Sequence, residues 1–172
     1  MRKKVVIGVC IVLLVVVCIL VAAIFFTPSE KKNTVSMSGG TAEYSSDGNS
    51  TSFEIELKTG AYFAVGREQW EKGSAVTFQV SSDHEFKAEI GIIPAEDMAE
   101  GYHYDDYGKI IGETVSLGSG MQTISITVPE NGEYGIAVNY VIEDVEQTKE
   151  NQGNTVLISL KVDKIFQNPL VP

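Results

Sequence analysis

Apolar side chains alternate with polar ones through most of the chain that follows residue 52. Residues 53–58 read Phe-Glu-Ile-Glu-Leu-Lys and residues 76–81 read Val-Thr-Phe-Gln-Val-Ser, a period of two that is typical of a strand with one buried face. Turn residues such as Pro129-Glu130-Asn131-Gly132 separate these segments. The pattern predicts an all-β fold over residues 53–166, an antiparallel β-sandwich with about eight strands in an undetermined order.

One short helix is expected inside this domain. Pro94 suits a first helical turn, Glu96 and Asp97 suit the positive N-terminal end of a helix, and Gly101 closes it. The segment allows about two turns, and no long amphipathic helix is visible elsewhere in the domain.

The residues from Val5 to Phe26 contain no charged or strongly polar side chain. Such a run of 22 residues reaches roughly 33 Å as a helix, enough for a hydrocarbon core of about 30 Å. The run therefore predicts a transmembrane helix with the lipid bilayer as its partner. The alternative is a cleaved signal peptide, for which Val21 and Ala23 give a loose cleavage pattern.

The charges around the run predict its orientation. Residues 1–4 include Arg2, Lys3 and Lys4, and basic residues next to a span are retained in the cytoplasm. We expect a single-pass signal anchor in the cell membrane with a cytoplasmic N-terminus and an extracellular C-terminal domain.

Both cysteines and all acidic residues are unevenly distributed. Cys10 and Cys18 lie inside the apolar run, so the domain beyond it has no disulfide, which favours a bacterial origin. The whole chain has a formal net charge of −10. All 23 acidic residues follow the run, whereas three of the 13 basic residues precede it. An acidic surface of this kind repels phosphate, which excludes nucleic acid as a partner and otherwise favours solubility.

The two segments that flank the predicted domain have no strand pattern. Residues 27–52 are rich in Ser, Gly and Thr and poor in large apolar side chains, which predicts a flexible stalk. Residues 167–172 are expected to form a C-terminal tail.

Three segments resemble compact jelly-roll domains of bacterial surface proteins. They are residues 73–80 (GSAVTFQV), 86–93 (FKAEIGII) and 124–138 (ISITVPENGEYGIAV). The strand cadence and the turn Pro-x-Asn-Gly-x-Tyr are similar to those of pre-peptidase C-terminal domains, and more distantly to the Golgi-dynamics type of sandwich. The resemblance implies a non-catalytic accessory or ligand-binding module and supplies no catalytic residue.

Residue types argue against an enzyme. His84 and His103 are the only histidines, no cysteine lies outside the apolar run, and neither His-Glu-x-x-His nor Gly-x-Ser-x-Gly occurs. His84 is predicted to lie in a solvated turn. We expect no catalytic residues and no cofactor. Asp105 and Asp106 alone supply too few oxygen ligands for a calcium ion, so the sequence leaves open whether calcium binds.

A cluster of rings and carboxylates follows the predicted helix. Aromatic rings give flat apolar contact area, and carboxylates accept hydrogen bonds from hydroxyl groups, a combination suited to a sugar or a peptide. The predicted ligand-binding residues are Tyr102, His103, Tyr104, Asp105, Asp106 and Tyr107. The alternative is a long loop whose tyrosines cover the edge of the core.

Trp70, the only tryptophan, is added to this set because polar neighbours surround it and a turn glycine follows. A partly exposed indole can stack on a ligand, although packing of the indole against the core beneath a turn is the alternative.

These features together predict a membrane-anchored extracytoplasmic sandwich that acts as a non-catalytic interaction or accessory module at a bacterial cell surface. One alternative is a carbohydrate-binding module that uses the loop from Tyr102 to Tyr107. Another is a structural subunit of an envelope or secretion assembly. A glycan and an envelope protein are accordingly the expected partner classes besides the bilayer.

Overall fold

The computed structural model describes residues 33–37, 39–98, 110–143 and 154–166. These residues form ten strands and one helix of four residues, α1 (Ala95–Met98), between β6 and β7. The strands are β1 (Asn33–Met37), β2 (Gly40–Ser46), β3 (Thr51–Lys58), β4 (Tyr62–Trp70), β5 (Ala75–Ser82), β6 (Phe86–Pro94), β7 (Ile111–Leu117), β8 (Gln122–Thr127), β9 (Gly132–Tyr140) and β10 (Thr155–Val162).

The strands form two antiparallel sheets. One sheet has the order β1-β2-β3-β10-β5-β8 and the other has the order β4-β9-β6-β7. From β3 to β10 the chain changes sheet at every connection except the one between β6 and β7, which pair directly. This arrangement of β3-β10-β5-β8 against β4-β9-β6-β7 is that of an eight-stranded jelly roll. The predicted sandwich is confirmed, and β1 and β2 extend its larger sheet.

One apolar core lies between the two sheets and accounts for the alternation in the sequence. In β3, the side chains of Phe53, Ile55 and Leu57 are fully buried, while Glu54 and Glu56 point to solvent. Strands of both sheets contribute to the same cluster of buried side chains. Each large apolar side chain that is buried in this way stabilises the fold by about 1.5–3 kcal/mol relative to exposure.

The prediction of a flexible stalk over residues 27–52 is wrong from residue 33 onward. β1 pairs with β2, and β2 pairs with β3 over seven residue pairs. Val35, Ala42 and Tyr44 are buried in the core, and the Tyr44 ring lies 6.1 Å from that of Phe53. Small side chains and a Ser- and Thr-rich composition make these strands look like a linker.

A β-bulge bends β4 where the sheet meets the C-terminal end of the described chain. The register with β9 shifts between Val65 and Glu68, and Gly66 has a φ of +85°. The Phe166 ring lies against Gly66, in the space that a Cβ atom would occupy. The bulge therefore lets Phe166 enter the core beside Trp70.

The predicted short helix is confirmed as α1, whose described residues are Ala95–Met98. Pro94, which is expected in its first turn, is instead the last residue of β6, and Gly101 lies outside the described residues. Within the four described ranges, no helix has the length and apolar character needed to cross a bilayer. The predicted membrane span from Val5 to Phe26, residues 1–4 and the tail 167–172 lie outside the described residues.

Candidate functional site

Several connections meet at one end of the sandwich and line two cavities that are open to solvent. They are the turn after β3, the β5–β6 turn and the β7–β8 turn, together with Glu143 after β9 and Asn154 before β10. The cavities have volumes of about 490 and 590 Å³ and share Glu85 and Phe86 as lining residues. We call them the Tyr140 cavity and the Met121 cavity, and together the end groove.

The Tyr140 cavity combines aromatic and polar walls. The rings of Phe86 and Tyr140 stack with centroids 4.8 Å apart and planes inclined by 12°, Phe86 being buried and Tyr140 partly exposed. These rings close the end of the core. The remaining lining residues are Thr59, His84, Glu85, Asn154, Thr155 and Val156.

The Met121 cavity lies on the other side of the β5–β6 turn. An ion pair between Lys87 and Glu143 forms part of its wall, and the side-chain amide of Gln122 donates a hydrogen bond to the Ser116 carbonyl at 2.5 Å. Met121 is 62% exposed, which makes it one of three large apolar side chains on the described surface.

Hydrogen bonds hold the β5–β6 turn in place between the two cavities. The Asp83 carboxylate accepts a hydrogen bond from the Leu157 amide at 2.9 Å and contacts the His84 Nδ1 atom at 2.9 Å. Partial burial raises the pKa of Asp83, but the bonds from His84 and Leu157 outweigh it, and the net pKa lies below the usual value. The prediction that His84 lies in a solvated turn is confirmed, since its side chain is 69% exposed.

Trp70 lies in the core at the opposite end of the sandwich. Its side chain is 8% exposed, stacks on Tyr134 at 5.9 Å and meets the Phe166 ring edge-on at 6.0 Å. This placement favours the packing role for Trp70 over direct ligand contact, and the end groove does not include it.

The other predicted ligand-binding residues, Tyr102, His103, Tyr104, Asp105, Asp106 and Tyr107, lie outside the described residues. The nearest described residues on either side, Met98 and Ile110, are both buried in a small apolar cluster with Ala64, Ile93 and Ala137. Ala64, Ile93 and Ala137 belong to β4, β6 and β9, and the residues next to them in each strand face the main core. Because neighbouring residues of a strand point to opposite faces, these three lie on the outer face of the four-stranded sheet. Met98 and Ile110 are therefore packed on that outer face.

The end groove was not predicted from the sequence. Its residues come from five separate segments and form no motif, and their only local signal is the placement of polar residues at strand ends. Within the described ranges, no group of three or more His, Cys, Asp or Glu residues is arranged to hold a metal ion.

No protein-family model and no curated protein sequence matches the chain. Among solved structures, a family 29 carbohydrate-binding module is similar at 14% identity and a TM-score of 0.40, over 78% of this chain and 85% of the module. The capsular polysaccharide assembling protein CapF from Staphylococcus aureus is similar at 12% identity and a TM-score of 0.42, over 82% of this chain and 30% of CapF.

An oxalate decarboxylase is similar at 13% identity and a TM-score of 0.37, over 78% of this chain, and the chain spans 28% of the length of that enzyme. Similarity at this level assigns neither a family nor a ligand. The resemblance to pre-peptidase C-terminal domains stays a prediction.

Proposed function

We propose that this protein is a non-catalytic interaction module, tethered to the outer side of a cell membrane by residues 5–26, and that it binds its partner in the end groove. The observation that carries the proposal is the groove itself. It has an aromatic floor and polar walls, and it stands on turns that a ten-stranded sandwich holds in place.

The apolar run in the sequence supports the tether, and the start of β1 sets the length of the linker that follows the run. The apolar run ends at Phe26 and β1 begins at Asn33, so the linker is the six residues 27–32 rather than a long stalk. Asn33 pairs with Tyr44, near the β2–β3 turn. The chain therefore enters the domain at the opposite end of the strands from the groove.

Cysteine labelling in intact cells tests the membrane topology. In a chain whose Cys10 and Cys18 are replaced by serine, Ile165→Cys introduces one exposed thiol outside the groove. We expect a membrane-impermeant maleimide to label this thiol without permeabilisation. The matched control, Lys3→Cys, reacts only after the membrane is opened, and protection of Ile165→Cys in intact cells would contradict the proposal.

Hydrogen exchange tests the groove even though the partner is unidentified. The full chain in nanodiscs is compared with and without a cell-envelope fraction, prepared once with its proteins and once free of protein. We expect the amides of the β5–β6 and β7–β8 turns to exchange more slowly when the partner is present. The β4–β5 and β8–β9 turns at the opposite end are the internal control, and equal exchange of the groove turns in all samples would refute a role for the groove.

A second candidate is carbohydrate binding by the loop from Tyr102 to Tyr107. The buried positions of Met98 and Ile110 support it, because a segment anchored at both ends loses less entropy when it binds. Tyr104→Ala should then weaken binding on a glycan array, and unchanged binding would reject this site.

A further inference from the structure

We propose that the end groove is a carbohydrate site that selects neutral sugars over anionic ones. This inference rests on the proposed binding role of the groove and adds the chemical class of its ligand. It follows from four properties of the groove: an aromatic surface, hydrogen-bonding side chains beside it, the sign of its charges and its size.

The aromatic surface is pre-organised. Phe86 is buried and stacks beneath Tyr140, which leaves the partly exposed Tyr140 ring little freedom to turn. A fixed ring contributes contact area with little entropic cost. The C–H face of a pyranose ring is apolar and flat, and it suits such a surface.

Polar side chains line the Tyr140 cavity together with the ring. The Thr59 hydroxyl donates to the Asn154 carbonyl at 3.2 Å, so its oxygen stays able to accept a hydrogen bond. The Nδ1 atom of His84 is engaged by Asp83, so Nε2 is the ring atom available to a ligand. With the Glu85 carboxylate, these groups supply acceptors for hydroxyl donors.

The charges of the groove disfavour an anionic ligand. The described lining residues include Glu85 and Glu143, and the one lysine among them, Lys87, is paired with Glu143. The whole chain has a formal net charge of −10, which adds to the repulsion of uronic acids, sulfated sugars and phosphates.

The size of the groove fits more than one sugar ring. The Tyr140 cavity of about 490 Å³ lies within the usual range of small-ligand sites, roughly 300–1,000 Å³. The Met121 cavity shares Glu85 and Phe86 with it, so a second ring of an oligosaccharide has a place next to the first.

Binding of defined oligosaccharides to the full chain in nanodiscs tests the inference. A glycan array that carries neutral and uronic-acid-containing oligosaccharides selects the ligand, and titration calorimetry then measures its Kd. We expect binding to neutral glycans, a Kd that rises by about tenfold or more in Tyr140→Leu, and near-native binding in Tyr140→Phe, which keeps the ring.

Two further variants keep the test decisive if Tyr140→Leu does not fold, as judged by its Tm. Glu85→Gln and Asn154→Ala should each raise the Kd several-fold. Glu130→Gln, an equivalent change in the β8–β9 turn at the opposite end, should leave the Kd unchanged.

The outcomes separate this inference from the proposed function. Binding that survives in Tyr140→Leu and Glu85→Gln places the glycan elsewhere and overturns the inference, as does a preference for anionic glycans. If no glycan binds while an envelope fraction still slows exchange in the groove turns, the carbohydrate class is wrong and the binding role of the groove stands.

Discussion

At the scale of single residues, Gly66 is a position in β4 whose lack of a side chain lets the Phe166 ring pack into the core. Its φ of +85° belongs to the left-handed region, and a Cβ atom there would overlap the Phe166 ring. Phe166 in turn meets Trp70 and Phe53 edge-on, both at 6.0 Å. Glycine is therefore required at residue 66 for two reasons: the positive φ of the backbone and the space that the Phe166 ring occupies.

We predict that Gly66→Ala lowers the free energy of unfolding by about 2–4 kcal/mol, because backbone strain and overpacking add. Gly73→Ala is the matched control, since Gly73 has a φ of +82° with nothing within 4 Å of its Cβ position, and it should cost only about 1–2 kcal/mol. Urea denaturation of both variants measures the difference. If both variants lose the same free energy of unfolding, the Phe166 ring moves aside at little cost and the loss comes from backbone strain alone.

Asp47 organises the β2–β3 turn through its carboxylate. It accepts hydrogen bonds from the Asn49 amide at 2.9 Å, the Ser50 hydroxyl at 2.8 Å and the Ser50 amide at 2.8 Å. These bonds, together with a weaker contribution from Lys161, hold the pKa of Asp47 well below its usual value. The ionised carboxylate is thus the form that the folded turn requires.

This lowered pKa predicts a pH-dependent contribution to stability. A carboxyl group whose pKa is depressed by folding stabilises the fold at pH values above its ordinary pKa, about 4, and loses that contribution as the pH falls through the folded-state pKa. Asp47→Asn should therefore lower the Tm at neutral pH, and the gap to the wild type should narrow as the pH is lowered below about 4.

Thermal melts of both proteins across this pH range check the prediction. Lys161→Met separates the two causes, since the pH dependence should largely persist without the lysine. A gap that stays constant with pH would show that Asp47 acts through its shape rather than its charge.

At the scale of elements, β1 and β2 extend the domain beyond the boundary that the sequence suggests. We predict that a chain beginning at residue 33 folds, whereas one beginning at residue 53 loses Val35, Ala42 and Tyr44 from the core and melts at a markedly lower temperature or aggregates. Circular dichroism melts of the two fragments compare them directly. Equal Tm values would mean that β1 and β2 are dispensable.

The strands that the sequence predicts well have large inward side chains. Phe53, Ile55 and Leu57 alternate with charged residues, so the period of two is clear. In β2 two of the inward positions hold Gly40 and Ala42, whose small size hides the same period. For Trp70, the polar neighbours leave both an exposed and a buried position open in the sequence. The bulge at Gly66, which breaks the alternation in β4, hides the buried position that Trp70 has at the end of the strand.

The candidate site is less predictable than the fold. A local cluster such as Tyr102 to Tyr107 is visible along the chain, whereas the end groove exists only after the jelly roll has brought separate turns together. Thr59 and Asn154 are 95 residues apart in sequence, yet they share a hydrogen bond. The strand cadence indicates a sandwich but contains no information about which turns meet.

At the scale of the whole molecule, excess negative charge opposes folding. The net charge of −10 generates repulsion that is present mainly in the compact state. The exposed ion pairs Lys87–Glu143 and Lys161–Asp47 offset little of it, since surface pairs contribute about 0–1 kcal/mol.

We accordingly predict that the Tm rises when sodium chloride is increased from about 10 mM to about 200 mM, because salt screens the repulsion. Differential scanning calorimetry measures the change, and potassium chloride at equal ionic strength controls for specific ion effects. A Tm that falls with salt would show that the ion pairs outweigh the general repulsion.

The position of β10 has a consequence for how the protein is made. β10 lies between β3 and β5 in the larger sheet, although it is the last strand of the described chain. During synthesis from the N-terminus, β1-β2-β3 and β5-β8 are therefore two incomplete half-sheets with unpaired edges until β10 arrives between them. A chain truncated before residue 155 lacks β10, which joins the two half-sheets. Such a chain is expected to stay unfolded and to be degraded by proteases.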